Sequence, residues 1–126
     1  MTGETALSGD LLGRLRATFL FEAFSDEQLR WLAAHSEVVP FAAGATVFSD
    51  GEMPDALWVL LAGELQFVHT TGGRTLVLET SDRPGNWGGW LPVFDRPVLG
   101  ARVLRDSWLL RIPRAAVQHM LTRGFP

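Results

Sequence analysis

The side chains in this sequence best suited to hold a metal or move a proton are His35, His69 and His119, and no two of them have the spacing of a ligand pair. There is no Cys, which removes disulfides, Cys-ligated zinc, iron–sulfur clusters and thiol nucleophiles together. No Gly-x-Ser-x-Gly or Walker loop occurs, and Gly85, Gly88 and Gly89 are too irregularly placed for a dinucleotide fingerprint. The acidic residues are scattered and suggest no carboxylate pair, so no catalytic residue, metal or cofactor is expected. The most unusual segment runs from Arg83 to Val98, with three Pro, three Gly and two Trp. It has little periodicity and reads as a long loop with room for one short helical turn; long loops in compact domains tend to carry function.

The whole chain bounds what that loop can serve. At 126 residues, 47% hydrophobic and 20% charged, it holds enough for one domain with a core and too little for two. Fourteen acidic residues against 11 basic ones give a net charge of -3 with no basic block, so nucleic acid is not an expected partner. All the basic residues are Arg, and Lys and Tyr are absent, a pattern of codon bias that points to a GC-rich bacterial source. The longest apolar stretch, about Ala56 to Ala62, falls far short of the roughly 20 residues a membrane helix needs. The N-terminus lacks the flank and apolar run of a signal peptide. A cytoplasmic chain with no membrane contact is expected.

The elements that must position the loop are readable from spacing. Leu7, Leu11, Leu12, Leu15 and Phe19 recur at three and four and predict a helix of about ten residues, with Ser8 or Asp10 as N-cap. Ser25 and Gln28 fit a capping box, and Phe24 and Leu29 fit a hydrophobic staple, predicting a second helix from Asp26 to His35. From Glu37 the period changes. Short runs at Val38 to Phe41, Thr46 to Phe48, Leu57 to Leu61, Leu65 to Val68 and Thr75 to Leu78 predict strands. Gly72-Gly73 between two of these runs predicts a tight hairpin, because each Gly accepts a positive φ without penalty. Two further strands, Gly100 to Leu104 and Trp108 to Ile112, precede a helix opened by Pro113, with Ala116, Val117, Met120 and Leu121 on one face and Gly124 as its stop. Seven or eight short strands must close on themselves to bury both faces. The fold class is therefore mainly β with flanking helices, a jelly-roll or double-stranded β-helix, divided as 1–36 helical, 37–112 β-roll and 113–126 helix.

The stretch Gly44 to Glu52, with Gly51, and the stretch Leu57 to Leu65, with Gly63 twelve residues after Gly51, closely resemble the cyclic nucleotide-binding domain. That family is the β-roll of the catabolite activator protein, cyclic-nucleotide-dependent kinases and gated channels. Phe19-Leu20-Phe21 and Phe24 to Leu29 resemble its leading helices, and Leu109 to Pro113 resembles its last strand entering the C-terminal helix. The likeness covers about Phe19 to Leu121.

The resemblance implies a phosphate-binding cassette, approximately Phe-Gly-Glu, apolar residues, then Pro-Arg-x-Ala. In it backbone N–H groups and one Arg hold the cyclic phosphate while the Glu accepts from the ribose hydroxyl. The matching stretch is Trp87 to Ala101, with Gly88 as its Gly and Pro97 as its Pro. Gly89 stands where the ribose acceptor belongs and Val98 where the phosphate Arg belongs. Pro92 is awkward inside a short helix except in its first turn. Arg96 and Arg102 flank the gap, and a slip of about two residues would bring one of them to the phosphate. Trp87, Trp90 and Phe94 make the pocket aromatic: they either fill it from within, the preferred reading, or suit an apolar or planar ligand. The candidate ligand-binding residues are Trp87, Gly88, Gly89, Trp90, Leu91, Arg96, Val98 and Leu99. A metal enzyme on a similar roll, the cupin, needs a His cluster, and only His69 lies in the roll.

The resemblance implies a regulatory sensor domain in signal transduction whose C-terminal helix reports ligand to an attached effector. The damaged cassette implies that cyclic AMP and cyclic GMP are not held in the family's way. The chain stops at Gly124-Phe125-Pro126, which reads as a fragment whose effector follows. A bacterial histidine kinase is the first candidate effector, a transcription regulator the second. The alternatives are a true cyclic-nucleotide-binding regulatory domain, and a docking or dimerisation module with Trp31, Trp87 and Trp90 as contact anchors and a second copy as partner.

Overall fold

The computed structural model describes residues 11–90 and 99–122. Helix α1 (Leu11–Ala17) ends where Thr18 turns its hydroxyl back to donate to the Arg14 carbonyl at 2.7 Å. A short 3-10 turn, Phe19–Phe21, follows, so Phe19 lies outside the first helix. Leu7, Ser8 and Asp10 lie outside the described residues. Helix α2 (Asp26–Ala34) opens on the expected capping box: Ser25 Oγ accepts from the Gln28 N–H at 3.1 Å and Gln28 Oε1 from the Ser25 N–H at 2.9 Å.

The strands are β1 (Glu37–Phe41), β2 (Thr46–Phe48), β3 (Ala56–Thr71), β4 (Arg74–Ser81), β5 (Trp87–Gly89) and β6 (Gly100–Pro113), and helix α3 is Arg114–Thr122. They form one antiparallel sheet in the order β1-β6-β3-β4, with β2 beside β6 and β5 beside β3. The architecture is the expected β-roll flanked by helices, built from fewer and longer strands. The runs at Leu57 to Leu61 and Leu65 to Val68 are halves of β3, and the two strands expected after Gly100 are halves of β6. Strand β5 occupies part of the segment that reads as loop. Pro113 ends β6 and so lies one residue ahead of the helix, instead of opening it. Gly124 lies outside the described residues.

Two core clusters explain why the alternation in β3 is blurred. Leu57, Val59 and Leu61 face the helices, against Leu29, Leu32 and Val117. Ala56, Trp58 and Leu60 face the interior of the roll, against Val103 and Leu109. Both faces are covered, so the sequence shows a continuous apolar run. The parity then changes: beyond the irregular register around Ala62 to Leu65, the roll interior is lined by Leu65 and Phe67. Gly63, at φ 115°, sits in that irregularity, and a Cβ there would overlap Ser107 on β6. The glycine lets the strand shift phase by one residue while keeping its apolar side chains inward. On α3, Ala116 and Val117 are buried, whereas Leu121, expected on the same face, is 63% exposed. Among the described residues no helix is long and apolar enough to cross a membrane.

Candidate functional site

The hairpin β3–β4 and the strand β5 build the site. Gly72 and Gly73, at φ 57° and 75°, make the expected two-residue turn. Register runs regularly from Thr71 opposite Arg74 to Val68 opposite Val77; Leu78 is then an extra residue, and Phe67 faces Glu79. Paired across this bulge, Phe67 and Glu79 both line the same cavity. On the other side of β3, Trp87 to Gly89 pair with Val59 to Leu57.

Between these strands lies a cavity of about 270 Å³. Of the predicted site residues, Trp87, Gly88, Gly89 and Leu99 line it. The spacing gives no hint of the other contributors, Phe48, Phe67, Leu78, Glu79 and Asn86. Gly88 is where the aromatic walls close in: a Cβ there would come within 2.6 Å of a Phe67 ring carbon and 3.3 Å of one of Phe48. Gly89, at φ 108°, is pressed against β3, and a Cβ there would lie 2.5 Å from the Ala56 carbonyl oxygen. The position where the resemblance places a ribose acceptor thus has no space for a side chain.

Trp90 does not join the cavity. It is 4% exposed, sits in the cluster beneath the helices and donates its backbone N–H to the Ala56 carbonyl at 2.9 Å. The Arg114 guanidinium lies over its ring, 4.4 Å from the centroid. Leu91, Arg96 and Val98, with Pro92, Phe94 and Pro97, lie outside the described residues. Arg102 is turned elsewhere: its Nε donates to Gln66 Oε1 at 2.7 Å, and it lines a separate cavity beside Asp50. Among the described residues lining the aromatic cavity, Glu79 is the one ionisable side chain, and Asn86 Nδ2 donates to its Oε2 at 3.2 Å. The charge that the described residues bring to the cavity is that of the Glu79 carboxylate.

The Asp50 carboxylate next to Arg102's cavity accepts the Thr70 N–H at 2.6 Å and lies 3.1 Å from His69 Nδ1. The Thr70 bond above all holds its pKa below the ordinary aspartate value. His35 and His119 both stack on Trp31, at centroid distances of 4.1 and 4.9 Å, and so tie α2 to α3. Among the described residues no group of three or more His, Asp or Glu could hold a metal ion.

Residues 38–123 match the family model of the cyclic nucleotide-binding domain. None of the curated proteins compared with the chain matches it. Among solved structures, the sensor domain of the transcriptional regulator DNR from Pseudomonas aeruginosa is similar at 27% identity and a TM-score of 0.76, over 94% of this chain and 81% of that one. The N-terminal domain of a transcriptional regulator from Streptomyces coelicolor A3(2) is similar at 30% identity and a TM-score of 0.71, over 87% of this chain and 78% of that one. The regulatory domain of Toxoplasma gondii PKA with cAMP shares the fold, at 17% identity and a TM-score of 0.78, over 98% of this chain and 48% of that one. These relatives are regulatory or sensor domains and not catalytic ones. With its roll, its flanking helices and a family match across most of its length, the chain belongs to the cyclic nucleotide-binding domain family and is a regulatory sensor domain of that class.

Proposed function

We propose that this domain senses a small molecule other than a cyclic nucleotide in the cavity beside β5, and reports it through α3 to an attached effector. The observation that carries the reading is the charge of that cavity's described lining. Glu79 is the ionisable side chain its described lining supplies, and Arg102 is held by Gln66. A cyclic phosphate brought out of water there would meet a carboxylate, at a cost of several kcal/mol that apolar contact does not recover. The crowding of Gly89 against Ala56 removes the sugar's acceptor as well.

The route out of the cavity is short. Trp90 follows the strand that walls the cavity, and its ring is covered by Arg114, the first residue of α3. A ligand that shifts β5 therefore shifts a side chain gripped by the helix, which is the two-state element a sensor needs. The relatives at 27% and 30% identity come from transcriptional regulators, which supports a DNA-binding effector over a histidine kinase.

Calorimetric titration with cyclic AMP and cyclic GMP to millimolar concentration tests the reading. No saturable heat and no rise in melting temperature are expected, whereas ligand at 100 times its Kd would stabilise the fold by about 2.7 kcal/mol. Micromolar binding of either nucleotide would overturn the proposal.

A further inference from the structure

The cavity's lining also selects among non-nucleotide ligands, a selection that rests on the reading that no cyclic phosphate occupies it. Two aromatic side chains, Phe48 and Phe67, contribute walls, and Leu78 and Leu99 form an exposed apolar rim. Glu79 brings a carboxylate to the same space, with Asn86 donating to one of its two oxygens. From this juxtaposition we infer that the cavity binds an organic cation of the alkylammonium class, its charged head against the rings and the Glu79 carboxylate.

Each other class of ligand meets a specific obstacle. An anion is opposed by Glu79. A neutral apolar molecule large enough to cover the mouth would take the carboxylate out of water with the Asn86 amide as its partner, and covering a charge without a counter-ion is costly. An ammonium ion removes that cost by pairing with the carboxylate, and it is attracted by the electron-rich faces of the surrounding rings. Strong hydration is no barrier for a quaternary ammonium, whose methyl groups fit an apolar wall. The net charge of -3 adds a weak attraction for cations at longer range. Glu79 owes its position to the extra residue Leu78 in β4; an unbroken register would set Leu78 opposite Phe67.

The test titrates the intact chain with choline, with its uncharged isostere 3,3-dimethylbutan-1-ol and with cyclic AMP, followed by calorimetry and tryptophan fluorescence. Choline should bind saturably, and the isostere at least about tenfold more weakly. Glu79→Gln keeps an acceptor for Asn86 on an exposed strand; it should weaken choline by about tenfold and leave the isostere unchanged. Phe48→Leu removes one of the two rings and should weaken choline without altering the preference that Glu79 confers. Equal binding of choline and the isostere, or no binding of choline at millimolar concentration, would overturn this inference while the exclusion of cyclic nucleotides stands. Tight binding of cyclic AMP that displaces choline would instead overturn the exclusion on which it rests.

Discussion

Gly89 lies so close to Ala56 that a Cβ at position 89 would stand 2.5 Å from the Ala56 carbonyl oxygen. The same oxygen accepts the Trp90 N–H at 2.9 Å, so it cannot withdraw without losing a bond that fixes the end of β5. With φ at 108°, the position is also closed to ordinary side chains by its backbone conformation. At the position to which the resemblance assigns the family's ribose acceptor, the backbone as well as the side chain is closed to one. Gly89→Ala should cost about 2–4 kcal/mol in urea denaturation, from conformational strain and overlap together. Gly89→Glu should be destabilised at least as much and gain no affinity for cyclic AMP. A Gly89→Glu protein of undiminished stability that bound the nucleotide would show that the backbone at position 89 does accept the acceptor.

The contrast between the features that spacing reveals and those it hides follows from how local each signal is. The capping box at Ser25 and Gln28 and the turn at Gly72-Gly73 depend on residues within a few positions, and both form as expected. The roll follows from short apolar runs separated by turn residues. The strands are fewer than expected because β3 and β6 each run through two of the expected segments; in β3 Gly63 makes a phase shift inside one strand, where a Cβ would overlap Ser107 on β6. Glu79 is hidden for a similar reason. Its place at the cavity depends on the bulge at Leu78, which no local residue preference announces. Trp90 adjoins Trp87 in sequence and so reads as part of the site, yet it packs beneath the helices, with Ala56 and Arg114 as its partners.

Asp50 gives the fold a predictable response to acid. Its pKa lies below the ordinary value of 3.8, chiefly because it accepts the Thr70 N–H, with His69 and the Gly51 N–H acting in the same direction and burial opposing them. A carboxyl with a depressed folded pKa stabilises the native state fully above its unfolded pKa, and that contribution is lost as pH falls through the folded value. Asp50→Asn keeps an oxygen for Thr70 but cannot ionise. The melting-temperature gap between the natural chain and this variant should be open at about pH 5 and narrow below about pH 4. A gap that stayed constant through pH 3 would show that the charge on Asp50 does not support the fold.

The contact between Trp90 and Arg114 joins the cavity wall to the C-terminal helix, and it can be isolated from the packing around it. Trp90 is 4% exposed, so its replacement by Ala would remove a large core side chain and cost about 3–5 kcal/mol whatever Arg114 does. Arg114 is exposed, and its guanidinium 4.4 Å from the ring centroid should contribute about 0.5–1 kcal/mol as a cation–π pair. Arg114→Gln should therefore lower stability by that amount in the natural chain and by almost nothing when Trp90 is already Leu, so that a double-mutant cycle returns the pair's coupling. Hydrogen exchange gives the functional side of the same experiment. If this pair transmits, Arg114→Gln should speed exchange of the α3 amides while leaving those of β1 unchanged, since β1 pairs with β6 and not with β5. Equal acceleration in both elements would mean that the substitution loosens the fold as a whole, and the signal would have to leave the cavity by another path.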